Sequence, residues 1–152
     1  MLSPGLLTHW TRAALDAARA GDEAAAADLA GRICEHADAL DLLAACRVFA
    51  HTARRALLVL YRRPDPAAGE AWVLGQLGNA EGHPERMWAA RLITAHANHD
   101  GPTVTALVAA AARATHDERT ESLRSLLSYA AGLDAQAARR THHTQEGPGT
   151  DE

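Results

Sequence analysis

Residues 38–62 read DALDLLAACRVFAHTARRALLVLYR, and the spacing of their apolar side chains decides the fold class. Leu42, Cys46, Phe49, Ala53, Leu57 and Leu60 recur at intervals of three and four, the repeat of one face of an α-helix. Leu43, Ala50 and Tyr61 widen that stripe. A strand would instead need alternation with period two, drawn from β-branched and aromatic residues. Phe49 is the only phenylalanine in the chain, and β-branched runs are absent. Asp38 supplies a capping carboxylate ahead of the first turn, and Asp41 adds negative charge where the helix dipole favours it. Pro64-Asp65-Pro66 closes the run, because a proline ring cannot continue the hydrogen-bond ladder.

Outward from this helix, turn residues divide the 152-residue chain into about seven helices. Ser3-Pro4 opens the first, which runs to about Ala20; Gly21-Asp22 ends it and caps a second, about 23–36. After the long third helix, a fourth is expected near 66–78, weakened by Gly69, Gly75 and Gly78. Pro84 starts a fifth, about 84–98, and Asp100-Gly101-Pro102 separates it from a sixth, about 102–115. Asp117 is placed to cap a seventh, ending near Gly132, with Leu123, Leu126, Leu127 and Ala130 as its inner stripe.

Short connections between such helices imply antiparallel neighbours. An all-α domain over 1–133 is expected, either a compact bundle or a short α-solenoid of HEAT-like helix pairs. The apolar pattern fades at Asp134, and 134–152 is expected to be a disordered polar tail, its last twelve residues carrying no hydrophobic side chain. A shift of 78 positions lays Trp10 on Trp88, Leu15 on Ile93, Asp22 on Asp100 and Leu29 on Leu107. That suggests a three-helix echo, 4–62 with 84–132, joined by the weak 66–78 helix. No tetratricopeptide, ankyrin or leucine-rich signature accompanies it.

About a quarter of the residues are alanine, the best helix former, which agrees with the periodicity. Every basic residue other than histidine is arginine, a bias that arises from GC-rich codons as readily as from anion chemistry. A net charge of −4 argues against polyanion binding by the chain as a whole, though a local patch can still be basic. Cys34 and Cys46 lie twelve positions apart with no metal-ligand spacing beside them, which reads as buried thiols. No targeting segment is visible, and the longest uncharged run, Gly101 to Ala112, is short of the roughly 20 residues a membrane span needs. A cytoplasmic location without membrane contact is the expectation.

Two constellations could carry function. On the third helix Arg47, His51, Arg54, Arg55 and Arg62 fall within about a third of the circumference, opposite the apolar stripe, with Leu58 among them. Guanidinium forks match carboxylate and phosphate oxygens, so this face suits an acidic partner; the alternative is a solvated face paired with neighbouring acids. On the fifth helix His96 and His99 stand one turn apart with Asp100 beside them, the beginning of a metal site. Such a site needs three or four ligands, and histidine near a helix C-terminus also suits the dipole without any metal.

The remaining routes have little support. HExxH, P-loop, GxSxG and GxGxxG motifs are absent, as is any Glu-x-x-His pair for a carboxylate-bridged site. Ser122, Ser125 and Ser128 have no adjoining His–acid pair, which places them on a polar helix face rather than in a nucleophilic site. A helix-turn-helix reader would need a basic first turn, and the third helix is basic at its middle, so nucleic acid binding is not expected. The chain thus reads as a non-catalytic protein–protein interaction or adaptor module with no cofactor. A metal or small-ligand binder using His96 and His99, or an enzyme whose site is assembled across helices, are the other two readings.

Overall fold

Side-chain caps fix where the helices begin. Ser3 Oγ accepts from the Leu6 N–H at 3.3 Å ahead of α1 (Pro4–Arg19), and Asp22 Oδ1 from the Ala25 N–H at 3.1 Å ahead of α2 (Glu23–His36). At α3 (Ala39–Leu60) the caps are reciprocal: the Asp41 N–H donates to Asp38 at 2.8 Å, and the Asp38 N–H to Asp41 at 3.3 Å. Asp41 also accepts from the Leu2 N–H at 2.7 Å, which ties the N-terminus to α3. Proline opens α4 (Pro84–Ala97), and Asp100 caps α5 (Gly101–Arg113) through the Thr103 N–H. Before α6 (His116–Gln145) the box is Thr115 with Glu118, at 3.2 and 3.0 Å, and not Asp117; a hydroxyl and a carboxylate three residues apart satisfy two amides at once.

The computed structural model describes residues 1–73 and 82–145, and among them every regular element is helical, with six α-helices. The centre of the molecule is the pair α3 and α6, which share the longest contact. α1 and α2 pack together and lie against α6, while α4 and α5 pack together and lie against α3 and α6. One cluster of buried residues draws on all six helices, with Phe49, Leu57, Ile33, Leu92, Leu123 and Leu126 among its largest members. Alanines at zero exposure (Ala14, Ala45, Ala50, Ala53, Ala89 and Ala130) fill the contacts between them. The expected stripe of α3 is inward: Leu42, Cys46, Phe49, Ala53 and Leu57 are buried, whereas Leu60 is half-buried and Tyr61, at the C-cap, is exposed. α6 meets α1 and α2 as well as its sequence neighbours, so the described helices pack compactly about the α3–α6 pair.

Two expectations need correction. The fourth helix expected at 66–78 is, within the described residues, a single 3-10 turn over Pro66–Ala68; Gly69, at φ 75°, ends it and 70–73 have no regular structure. The rest of that range, 74–78, lies outside the described residues. The tail expected to begin at 134 is instead helical to Gln145. Ala130, Leu133 and Ala137 continue the inner stripe of α6 and are buried, and Arg19 Nε donates to Asp134 at 2.7 Å. Arg140 reaches the Leu60 carbonyl across the α3–α6 contact. Alanine contributes little to a hydropathy pattern yet fits a close helix contact, which is why the stripe looked broken. Residues 146–152 lie outside the described residues.

Arg119, which the sequence pattern did not single out, ties two helix ends together. Its guanidinium donates to the carbonyls of Cys34 at 3.0 Å and of Ala112 and Ala114 at 3.2 Å each, satisfying acceptors that helix ends leave open. Cys34 and Cys46 are free and buried. Burial pushes both thiols up, the nearby Thr120 and Arg119 opposing it at Cys34, so both stay protonated at neutral pH.

Candidate functional site

The two constellations separate in sequence are one patch in space. α3 and α4 pack side by side, and this brings the arginine face of α3 against the C-terminal end of α4. The His51 and His96 rings stand edge to face with centroids 6.2 Å apart. An Arg54 terminal nitrogen lies 3.5 Å from His99 Nε2. His96, half-buried, has its pKa lowered, first by burial and then by the positive surroundings of His51, Arg54, His99 and Arg47. His51 thus adjoins His96 and Arg54 adjoins His99, with the charges of Arg54 and Arg47 acting on His96, and no described carboxylate is ion-paired to any of the five.

The other members of the arginine face have different places. Arg55 is exposed and has no ion pair among the described residues. Arg62 leaves the face: it donates to both oxygens of Glu70, at 2.9 and 3.0 Å, and Glu70 also accepts from the Asp65 N–H. Those bonds hold the Glu70 carboxyl below the usual carboxylate range, the Asp65 amide first. Arg62 thus anchors the strap beyond α3 rather than offering a charge to a partner. Asp100 is likewise occupied, accepting from the Thr103 hydroxyl at 2.6 Å and its N–H at 3.2 Å, which lowers its pKa. The grouping expected for a metal, His96 with His99 and Asp100, is not assembled: among the described residues no three His, Cys, Asp or Glu side chains group in a way that could hold a metal ion. The two histidines face arginine instead.

Beside the patch runs a groove of about 750 Å³ between the α3–α4 ends and the strap at 63–72. Leu58, Ala97 and Trp72 contribute apolar surface, Arg54 and Arg63 positive charge, Asp65 and Glu70 negative charge, and His99 an imidazole. The strap is held by Asn98, whose side chain accepts from the Trp72 N–H at 2.8 Å and donates to its carbonyl at 3.0 Å. A side-chain amide matches a backbone amide in this way, so Trp72 is fixed without a sheet. Asn98 and Arg63 carry no sequence signal, and Trp72 reads from sequence as an aromatic core anchor rather than a site residue. Nothing in the periodicity marks a residue whose partner is 26 positions away.

The chain matches no known protein family, no curated protein and no solved structure. Its function is therefore read from the chemistry of the site alone.

A second hollow of about 500 Å³ lies between α1, α2 and α6. Its arginines Arg19 and Arg124 are paired with Asp134 and Glu121, at 2.7 and 2.8 Å, and Ser125 and Ser128 line it on the polar side of α6. Arg86 and Glu23 line it as well.

Proposed function

We propose that this protein is a non-catalytic docking module that binds an acidic segment of another protein on the outer surface of α3 and the end of α4. The observation that supports this reading is the convergence of Arg47, His51, Arg54, His96 and His99 with no carboxylate among the described residues ion-paired to them. Like charges held together destabilise the free protein, and an anionic partner relieves that cost while gaining charge-assisted hydrogen bonds. Arg55 and the exposed Val48 and Val59, on the same outer side of α3, extend the surface with a mixed basic and aliphatic character. Of the nearby acids, Glu70 is bonded to Arg62 and Asp100 to Thr103, and neither is ion-paired to Arg47, Arg54 or Arg55.

Charge reversal tests this. Arg47→Glu with Arg54→Glu should leave helicity and melting temperature close to those of the parent while weakening partner capture at least about tenfold. Capture from native cells would be run beside a control, Arg12→Glu with Arg113→Glu, which removes the same charge elsewhere and should bind as the parent does. Cross-linking should map the contact to an acidic stretch of the partner. Undiminished capture by the Arg47/Arg54 variant would overturn the proposal, as would a contact mapped to an uncharged segment.

A further inference from the structure

The turn that ends α4 repeats the turn that ends α1. After α1 the Gly21 N–H donates to the Ala18 carbonyl at 3.1 Å and the Asp22 N–H to Ala17 at 2.9 Å; after α4 the His99 N–H donates to His96 at 3.1 Å and the Asp100 N–H to Ala95 at 2.8 Å. In each case the aspartate then caps the next helix. The paired bonds require a residue in the left-handed region, which glycine supplies at low cost. Gly21 takes φ 75°, and a Cβ added there would meet nothing within 4 Å, so glycine serves the backbone alone. His99 takes φ 58°, and it is the only described residue other than glycine with a positive φ. A side chain retained where the matching turn uses glycine points to a use for the imidazole itself.

What it faces is Arg54. The Arg54 Nε is buried without an acceptor, and the one polar partner of its terminal nitrogens among the described residues is His99 Nε2, at the long limit of 3.5 Å. In that contact His99 must be neutral, because the guanidinium can only donate. An anion entering there would meet terminal guanidinium donors from α3 and an imidazole N–H donor of His99 from the turn after α4. A carboxylate has two coplanar oxygens, which one guanidinium fork can occupy alone. A phosphoryl group carries three terminal oxygens in three directions and a charge near −2, suited to donors arriving from two helices and to the charge of Arg47 and Arg54 together.

We propose that Arg54 and His99, surrounded by Arg47, His51 and His96, form a binding site for a phosphoryl group, so that the segment captured by the α3–α4 face is a phosphorylated one. This rests on the docking reading and specifies its chemistry. The groove floored by Leu58 and Ala97 beside Trp72 then receives the residue next to the phosphorylated one, with Arg63 at its rim.

The probe is inorganic phosphate, added to the full chain at constant ionic strength with acetate and chloride in parallel, and followed by NMR of the histidine rings near pH 7. Saturable shifts of the His96 and His99 signals are expected with phosphate alone, together with an upward move of the His96 titration midpoint. Arg54→Gln should weaken phosphate binding at least about tenfold, and His99→Gly several-fold, with helicity retained in both. Equal responses to acetate, absence of saturation, or an undiminished response in Arg54→Gln would each overturn the proposal. A phosphatase arm separates it from the docking reading. Dephosphorylating the captured partner should release it. Capture that survives phosphatase yet fails with Arg47→Glu/Arg54→Glu sinks the phosphoryl inference and leaves docking standing, whereas capture that survives charge reversal sinks docking itself. Tighter binding of a single-stranded oligonucleotide than of a phosphopeptide would also overturn the proposal.

Discussion

His99 and Gly21 do the same backbone work with unequal strain, and this makes their exchange informative. A left-handed residue with a Cβ costs about 1–2 kcal/mol, while glycine loses about 0.5–1 kcal/mol through the freedom of the unfolded chain. His99→Gly should therefore raise stability by roughly 0.5 kcal/mol, read as a higher urea midpoint at unchanged slope. Gly21→Ala should lower it by about 1 kcal/mol, with no clash to add, because the space around that Cβ is open. A His99→Gly protein less stable than its parent would mean that the imidazole is held for the fold. In that case the residue's conformation would no longer support a ligand. His99 stood out in the sequence as a candidate ligand, but its backbone conformation did not. The available signal was the missing glycine between a helix end and Asp100, where Gly21 precedes Asp22 in the other turn.

Helix boundaries obey the local chemistry of caps and prolines, so Ser3-Pro4, Asp22, Asp38, Pro84 and Asp100 were readable in sequence as starts. Errors arose where the deciding interaction is distant or where alanine does the packing. At 66–78 the left-handed Gly69 stops the chain after one 3-10 turn, and Asn98 holds the Trp72 backbone beyond it. At 134–145 the helix persists because Ala137 is buried and because Arg19 and Arg140 tie it to α1 and to the end of α3. The candidate site divides the same way. Its arginine face was legible as a helical sector, but its union with His96 and His99 depends on the packing of α4 against α3, which no spacing within either helix encodes. The extension of α6 can be tested by itself. Ala137→Glu forces a carboxylate into a buried position and should cost about 2 kcal/mol, whereas Ala138→Glu, exposed one residue later, should stay within about 0.5 kcal/mol. Equal, negligible effects from the two would mean that 134–145 does not pack on the core.

At the scale of the whole molecule, the six helices among the described residues leave the outer side of α3 and the end of α4 with a group of positive side chains, in a chain whose net charge is −4. That concentration should appear in the pH dependence of folding. His96 has a folded pKa below its ordinary 6.5, so near and below that value the unfolded chain binds the proton more readily than the folded one. The contribution of neutral His96 is complete above the unfolded pKa and declines as pH falls, levelling off once pH is below the folded value. Glu70 and Asp100 are depressed from 4.5 and 3.8, so their contributions are present above those values and are lost as pH falls below them. Melting temperature should therefore fall as pH is lowered through the ordinary histidine range, in a step that His96→Asn removes. Arg54→Gln should reduce the step without abolishing it, because burial is the largest single cause and Arg54 is one of four neighbouring groups that add to it. Added sodium chloride should act as Arg54→Gln does, screening the charges and leaving the burial part, while inorganic phosphate at matched ionic strength should shrink the step further by occupying the site. A step of the same size in His96→Asn would place its origin outside the patch. A step insensitive to Arg54→Gln and to salt would mean that burial alone lowers the His96 pKa, and the patch would then lack the positive field on which docking of an anion depends.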